Sequence, residues 1–456
     1  MNRRKFLQQS ALSSAGTLLL PFLFAACKKA NLFEEKKYEG KVMVIGAGAS
    51  GLYSAYLLHH YGVDVQVLEA ADKIGGRVRP LQNFADFTIE LGAEEVHGER
   101  SLWHDMILAS GASFIEEDLN DLFYFNGALK TKEEGEQNTF FNQMNELIAT
   151  LPDYAGNDIS AAAWANGNGL SDNIMHLFNA AMGNEQGTTD TRVGMIGLRD
   201  ADNRWTAGNE NLMVKNSHLL SVMETTFSGI LNKVQLNTVV TQIDYTASRI
   251  QIQDSNGNMY EADKVIVTIP LPVLKSGAVS FNPPLEEARI GAWEKIGMDR
   301  GMKIIIKFDE RLWPENTASI YGSGYIPEFR ATGAGGRGTD NILTAFVCGA
   351  SADILATLSE EALIEQVLSE VDNLFEDAST HYVDHYIQDW GAEPFAGGAY
   401  SYGKPGSGNA RELMAVPIQE KIFFAGEATH TGGHHATVHG AMETGLRAVN
   451  EILSGQ

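Results

Sequence analysis

One stretch near the N-terminus, KVMVIGAGASGLYSAYLLHHYGVDVQVLEAADKIGGRVR from Lys41 to Arg79, restricts the fold more than any other. Val42 to Ile45 is a short apolar run of the kind a buried strand needs. Gly46, Gly48 and Gly51 then fill the G-x-G-x-x-G positions, and a helical pattern follows to Gly62. A second apolar run, Val63 to Leu68, ends at Glu69. The first glycine permits a tight turn, the second lets backbone approach a pyrophosphate, and the third lets helix pack on strand. The free N–H groups at the helix start, around Ala49 and Ser50, hold phosphate charge together with the helix dipole. Glu69, followed by Ala70, lies eighteen residues past Gly51, where a carboxylate accepts hydrogen bonds from ribose hydroxyls. The unit predicts a dinucleotide site in a Rossmann-like α/β domain. Gly75–Gly76 allows a second close approach and Arg77 supplies a cation for the pyrophosphate, which points to FAD rather than NAD.

A chain of 456 residues is long enough for two closely packed domains. Asp plus Glu number 58 against 34 Lys plus Arg, a formal charge of −24, which argues against nucleic acid as a partner. Residues 1–27 read as a targeting segment. Arg3–Arg4–Lys5–Phe6–Leu7 has the form of a twin-arginine signal, and an apolar stretch from Ala11 to Ala26 follows. The expectation is an exported protein, periplasmic or held at a bacterial membrane as a lipoprotein through Cys27. Cys348, the other cysteine, lies in an apolar run and reads as a core residue. No Cys/His cluster has metal-site spacing, so no metal is expected.

Strand signals recur at Val234–Leu236, at Ile243 to Gln253 and at Lys264–Ile269, with a turn at Ser255–Asn258. The continuous apolar strand from Lys264 fits the buried parallel sheet of the first unit, so that domain is read as discontinuous. Met302–Phe308 and Ile342–Val347 supply a second sheet, and Glu360–Phe375 and the end of the chain read as helices. Ser101 to Gly229 reads as mostly helical and poorly suited to a sheet. The fold expected is α/β: a discontinuous FAD-binding domain (41–100, 226–275, 390–456) after a linker (28–40), with an α+β substrate domain (101–225, 276–389) of mixed sheet and helices.

Longer motifs follow in order: NRWTAGNENL (Asn203–Leu212), VQLNTVVTQIDY (Val234–Tyr245), ADKVIVTIPLPVLK (Ala262–Lys275), GMDRGMKIIIKFDERLW (Gly297–Trp313), WGAEPFAGGAYSY (Trp390–Tyr402), FFAGEATH (Phe423–His430) and ATVHGAMETGLRA (Ala436–Ala448). Together they resemble the flavin-dependent amine oxidases: monoamine oxidases, polyamine and spermine oxidases, and lysine-specific histone demethylases. The likeness covers nearly all of Lys41–Leu453, is weakest in Leu119–Thr191, and is greatest for the polyamine oxidase branch.

The resemblance implies roles residue by residue. Lys303 matches the lysine that holds a water against flavin N5, where an ammonium stabilises negative charge on reduced flavin and on incoming O2. Glu427, after Gly426, matches the acid near the second end of FAD. Thr437 and Val438 match flavin contacts, Val240 an adenine contact, and Gly92–Ala93–Glu94 the lining of the pyrimidine side. Tyr400 matches a wall of the aromatic cage around the amine. Trp390 matches an aromatic packed near the flavin, with core packing as the alternative. Amino-acid oxidases of this fold carry an arginine where Glu95 stands; a carboxylate there repels a substrate carboxylate and attracts a second ammonium. His97 contacts substrate or caps its loop. No cysteine stands in Ala436–Met442 where monoamine oxidases attach flavin, so the FAD is expected to be non-covalent. The chain lacks the helical hairpin insertion of the demethylases.

The activity implied is hydride transfer from the α-carbon of a primary or secondary amine, a polyamine or a monoamine, to flavin N5. Imine hydrolysis to an aldehyde and reoxidation by O2 to H2O2 complete it. An L-amino-acid oxidase or monooxygenase of the same fold is the alternative; a flavin-dependent desaturase and a non-catalytic flavin-binding protein stand behind it.

Overall fold

The structure, a computed structural model, describes residues 38–455. The segment expected to direct export, with Arg3, Arg4 and Cys27, and most of the linker lie outside the described residues.

The Lys41–Ile45 strand is central in a five-stranded parallel sheet ordered Ile422–Phe424, Lys264–Val267, Lys41–Ile45, Asp64–Leu68, Val234–Gln235. In chain order that is fifth, fourth, first, second, third. The connections diverge between the first and fourth strands, and a crevice opens at their carboxyl ends. The run is apolar throughout because both faces are covered. Val42 and Val44 join one core with the Ala49–His60 and Val438–Ser454 helices, while Met43 and Ile45 join another beneath the Val240–Ala262 strands. Each such aliphatic contributes about 1.5–3 kcal/mol on burial. The two helices cross through small residues: a Cβ on Gly445 would lie 2.6 Å from Ser54 Oγ.

The strands Val240–Asp244, Ile250–Asp254 and Met259–Ala262 form an antiparallel meander, turning at Gly257 as the sequence predicts. Gly301–Phe308 and Asn341–Cys348 pair antiparallel inside a seven-stranded mixed sheet. That sheet also contains Asn120–Phe125 and Ala128–Lys130, in a segment expected to be helical. Their turn is Asn126–Gly127, both at positive φ, a hairpin signal that the helical reading passed over. The helices Leu102–Ala109 and Leu219–Thr226, also in the segment assigned to the substrate side, bury Trp103, Ile107, Leu219 and Met223 in the nucleotide-side core. The two helices pack on each other, and Leu102–Ala109 also packs on the Val438–Ser454 helix. Among the described residues no helix is long and apolar enough to cross a membrane.

Candidate active site

A cavity of about 980 Å³ opens from the crevice of the parallel sheet and runs beneath the seven-stranded sheet. Apart from Gly51, every residue that the sequence assigned to cofactor or substrate lines it. Gly51 sits behind the wall: a Cβ there would lie 1.9 Å from the Gly46 carbonyl oxygen, so its role is helix–strand contact. Gly46 turns at φ 105° and Gly48 caps the Ala49–His60 helix without a side-chain hydrogen bond. A Cβ on Gly48 meets nothing within 4 Å. An uncapped helix start facing open space is what a pyrophosphate needs.

Glu69 closes this end. Its carboxylate accepts N–H bonds from Ala47 (2.5 Å) and Ala71 (2.9 Å), and burial, only partly offset by them, raises its pKa. The residues present fit a dinucleotide: helix start, acid, and room beyond for Ala70, Asn237 and Val240 to face an adenosine. The second glycine pair packs on the first turn, with Gly75 N–H donating to Ala47 O at 2.9 Å. Arg77, expected against the pyrophosphate, commits Nη1 to the Ala399 carbonyl (2.6 Å) and to Glu427 Oε1 (3.1 Å). Glu427 is buried. Burial opposes its charge, but Arg77, the Ser401 hydroxyl (2.6 Å), Arg411 and the Ala436 N–H (2.9 Å) outweigh it and hold its pKa low. Thr437 caps the Val438–Ser454 helix, so a second helix start borders the cavity beside Gly426.

Alternation along Gly301–Phe308 explains how a lysine fits within an isoleucine run. Met302, Ile304, Ile306 and Phe308 face a core under the Glu360–Leu374 helix, and Lys303 points the other way. In register beside it stand Gln388, Phe346 and, one strand further, Glu328. Lys303 Nζ donates to the Glu90 carbonyl (2.8 Å) and to Glu94 Oε2 (2.7 Å). Burial opposes the Glu94 carboxylate, yet Lys303, Arg330 and Arg337 hold its pKa at about 2. Gly92 threads between Arg77 and Trp390; a Cβ there would lie 1.8 Å from the Arg77 carbonyl oxygen. Trp390 is buried, donates Nε1–H to the Leu91 carbonyl (2.9 Å) and carries the Arg79 guanidinium 4.8 Å from its ring centroid.

On the amine side, Tyr400 forms one wall and Phe346 lies nearby. The Asn184 side chain pins the Asn184–Gln186 turn to Phe346 O (3.1 Å) and Cys348 N–H (2.8 Å). That turn brings Glu185 to the cavity, and burial, reinforced by Glu328 and Glu95, pushes its carboxyl up to about 7. Glu95 is not left to a ligand alone. Arg330 Nη1 lies 3.4 Å from it, Asn211 donates to it at 3.0 Å, and Asn211 also holds His97 Nδ1 at 2.9 Å. Burial opposes the Glu95 charge, and Arg330 and His97 keep its pKa low. Arg330 also has Glu328 at 2.9 Å, and its own pKa is raised because four carboxylates outweigh its burial.

The sequence pattern of flavin containing amine oxidoreductases matches residues 230–453, and that of NAD(P)-binding Rossmann-like domains matches 44–107. This chain belongs to the flavin amine oxidase family. It is 28% identical to human lysine-specific histone demethylase 2 over 92% of its length and 54% of the relative's. The chain therefore spans about half the length of that relative. It is also 28% identical to polyamine oxidase 2 of Arabidopsis thaliana, over 93% of the chain and 91% of the relative. Putrescine oxidase bound to putrescine shares the fold at a TM-score of 0.80 with 18% identity, over 91% and 99% of the two chains. Cyclohexylamine oxidase from Brevibacterium oxydans does so at 0.79 with 19% identity, over 92% and 99%.

In this family member, sequence reasoning missed Glu185 and Arg330. Neither has a local signal; each acquires its meaning from segments far along the chain. It also missed the gathering of His430, His434 and Glu443, whose candidate ligand atoms lie within 4.8 Å of one another. Glu443 Oε2 stands 2.7 Å from both His430 Nε2 and His434 Nδ1. The outer ring nitrogens decide what this triad is. His430 Nδ1 accepts N–H bonds from Gly432 and His434, both at 3.1 Å, and His434 Nε2 accepts one from Thr206 at 3.2 Å. Metal-binding imidazoles donate from the outer nitrogen; here that would set N–H against N–H. The triad instead ties the loop holding Gly433, His435 and Ala436, which line the cavity, to the last helix.

Proposed function

We propose that this chain is an FAD-dependent oxidase of small-molecule amines, with FAD bound non-covalently. The observation that carries this reading is the convergence of Lys303, Tyr400 and the carboxylates of Glu95 and Glu185 on one cavity that continues into the dinucleotide crevice. Bound FAD would supply the two-electron oxidant for the amine α-carbon, with a hydrolysable imine as product and O2 as the terminal electron acceptor. The chain supplies binding, orientation and charge. Gly48 and the first helix start receive the pyrophosphate, and Gly92 gives the ring system close access to backbone. Cys348, the one cysteine among the described residues, is buried outside the cavity lining, which supports non-covalent binding. The Tyr400 ring offers a face to a cationic amine, and desolvation of a bound amine favours the neutral form that loses hydride.

A second ammonium in the cavity would meet Glu95, which Arg330 already answers, and Glu185. A cation beside Glu185 favours its ionised form over the proton that burial imposes. Polyamines and diamines therefore fit better than monoamines. The amino-acid reading has one observation in its favour, a cation in the cavity at Arg330. Three carboxylates within 3.9 Å of that guanidinium leave little attraction for another.

Anaerobic mixing with a panel of polyamines, monoamines and amino acids tests the reading. Bleaching of the flavin absorbance by spermidine or putrescine, faster than by phenylalanine, is expected. Bleaching by amino acids alone, or by nothing in the panel, would sink it. We propose further that the protein is exported by the twin-arginine route, supported by Arg3–Arg4 and the apolar stretch after them. Retention in the cytoplasm of the Arg3→Lys, Arg4→Lys variant, with the unaltered chain exported, is the expected result.

A further inference from the structure

An ammonium has three N–H donors, and at Lys303 two have protein partners: the Glu90 carbonyl at 2.8 Å and Glu94 Oε2 at 2.7 Å. Both anchors belong to the short segment Glu90–Glu94, whose intervening residues line the cavity, as Lys303 itself does. Fixing two donors on one segment fixes the direction of the third. The side chains of Lys303 and Glu94 are each 5% exposed, so water does not replace either partner. The Glu94 carboxylate is itself held from behind: Arg337 Nη1 lies 3.5 Å from Oε1 and Arg330 Nη1 3.9 Å from Oε2. Glu94, expected as a cofactor contact, is thus turned toward the lysine.

We propose that Glu94 is a positioning residue that pairs with Lys303 and aims its third N–H at the flavin-ring end of the cavity, so that reaction with dioxygen depends on Glu94. The proposal rests on the amine oxidase reading above. Dioxygen takes two electrons and two protons to become hydrogen peroxide, the electrons and one proton coming from the reduced cofactor and the second proton from solvent. Negative charge grows on oxygen before the protons arrive, and a fixed ammonium stabilises it without reorganising. Loss of hydride from the amine precedes this step and draws much less on that ammonium.

The test uses the flavin-loaded protein and the variants Glu94→Gln, Glu94→Asp, Lys303→Met and Lys303→Met/Glu94→Gln. Glu94→Gln keeps shape and an acceptor but removes the charge. It is expected to slow reoxidation of amine-reduced enzyme by about tenfold or more, and anaerobic reduction by less than about threefold. Glu94→Asp, which keeps the charge one methylene back, recovers part of the loss. In the Lys303→Met background, Glu94→Gln has no further effect on reoxidation. Thermal unfolding gives a readout independent of turnover: Glu94→Gln lowers the melting temperature less in the Lys303→Met background than in the unaltered protein, because only with Lys303 present does it strand that ammonium. Reoxidation of Glu94→Gln at the unaltered rate, or an undiminished Glu94→Gln loss in the Lys303→Met background, overturns the proposal. If no amine reduces the unaltered protein, the amine oxidase reading fails instead, and the thermal comparison still decides whether residues 94 and 303 act together.

Discussion

The Tyr400 hydroxyl donates to the backbone carbonyls of Asn184 and Glu185, both at 3.3 Å, so the aromatic wall and the Glu185 carboxylate are parts of one assembly. Gly187, at φ 75°, lets the turn pass beneath the ring, where a Cβ would lie 2.8 Å from Tyr400. Burial keeps Glu185 near neutrality without a ligand, and a bound ammonium favours its ionised form.

For a diamine, KM is therefore expected to rise as pH falls through about 7, where Glu185 takes up its proton. Glu185→Gln is expected to raise the KM of diamines about tenfold, to leave that of a monoamine nearly unchanged, and to flatten the dependence near pH 7. Steady-state kinetics of putrescine against a monoamine from pH 6 to 9 check it. An equal effect on both substrates contradicts the assignment.

Gly51→Ala places a methyl against the Gly46 backbone at 1.9 Å, which no side-chain motion relieves. The first turn has to move, at a cost of about 3 kcal/mol, and the pyrophosphate site moves with it. Purified protein is expected to carry little flavin and to melt lower. The ratio of flavin to protein absorbance gives the first readout and calorimetry the second.

Arg77→Ala removes the cation nearest a buried carboxylate. Glu427 keeps the Ser401 hydroxyl and the Ala436 N–H but loses its ion pair at 3.1 Å, so a cost of about 3 kcal/mol is expected. Glu427→Gln in the same chain is expected to restore much of it, since no charge is then left behind. Denaturant titration of the two variants makes the comparison.

Burial opposes the Glu443 charge, but hydrogen bonds from His430 and His434 outweigh it and hold its pKa at about 2, against 4.5 for a free carboxyl. The folded chain then binds fewer protons at this site than the unfolded chain. Its contribution is present above about pH 4.5 and is lost as pH falls toward 2. Glu443→Gln is expected to lower the melting temperature at pH 7 and to show a smaller further drop on acidification. Melting curves between pH 7 and 3 test it, and parallel curves for both proteins would falsify the account.

Much of the nucleotide side was legible because its determinants are local. A strand buried on both faces has to be apolar throughout, so Val42–Ile45, Lys264–Val267 and Ile422–Phe424 announce themselves. Gly46, Gly48 and Gly51 each answer a steric demand within a few residues of themselves. Asn126–Gly127 was equally local and was passed over because its neighbours looked helical.

The charged half of the site was legible only in part, since Lys303 and Tyr400 stood out by resemblance while their partners did not. Glu94 meets Lys303 across 209 positions, and Arg330 reaches Glu94 and Glu95 from a strand more than two hundred residues away. Sequence by itself determined a Rossmann-like dinucleotide unit and its place in the chain, because turn sterics and strand burial act over short separations. Only the tertiary structure decided that Glu95 is answered by Arg330, that Glu185 faces the cavity, and that His430, His434 and Glu443 form a brace. Proton affinity and charge pairing depend on what burial removes from water and on which distant group replaces it, and no local pattern carries that information.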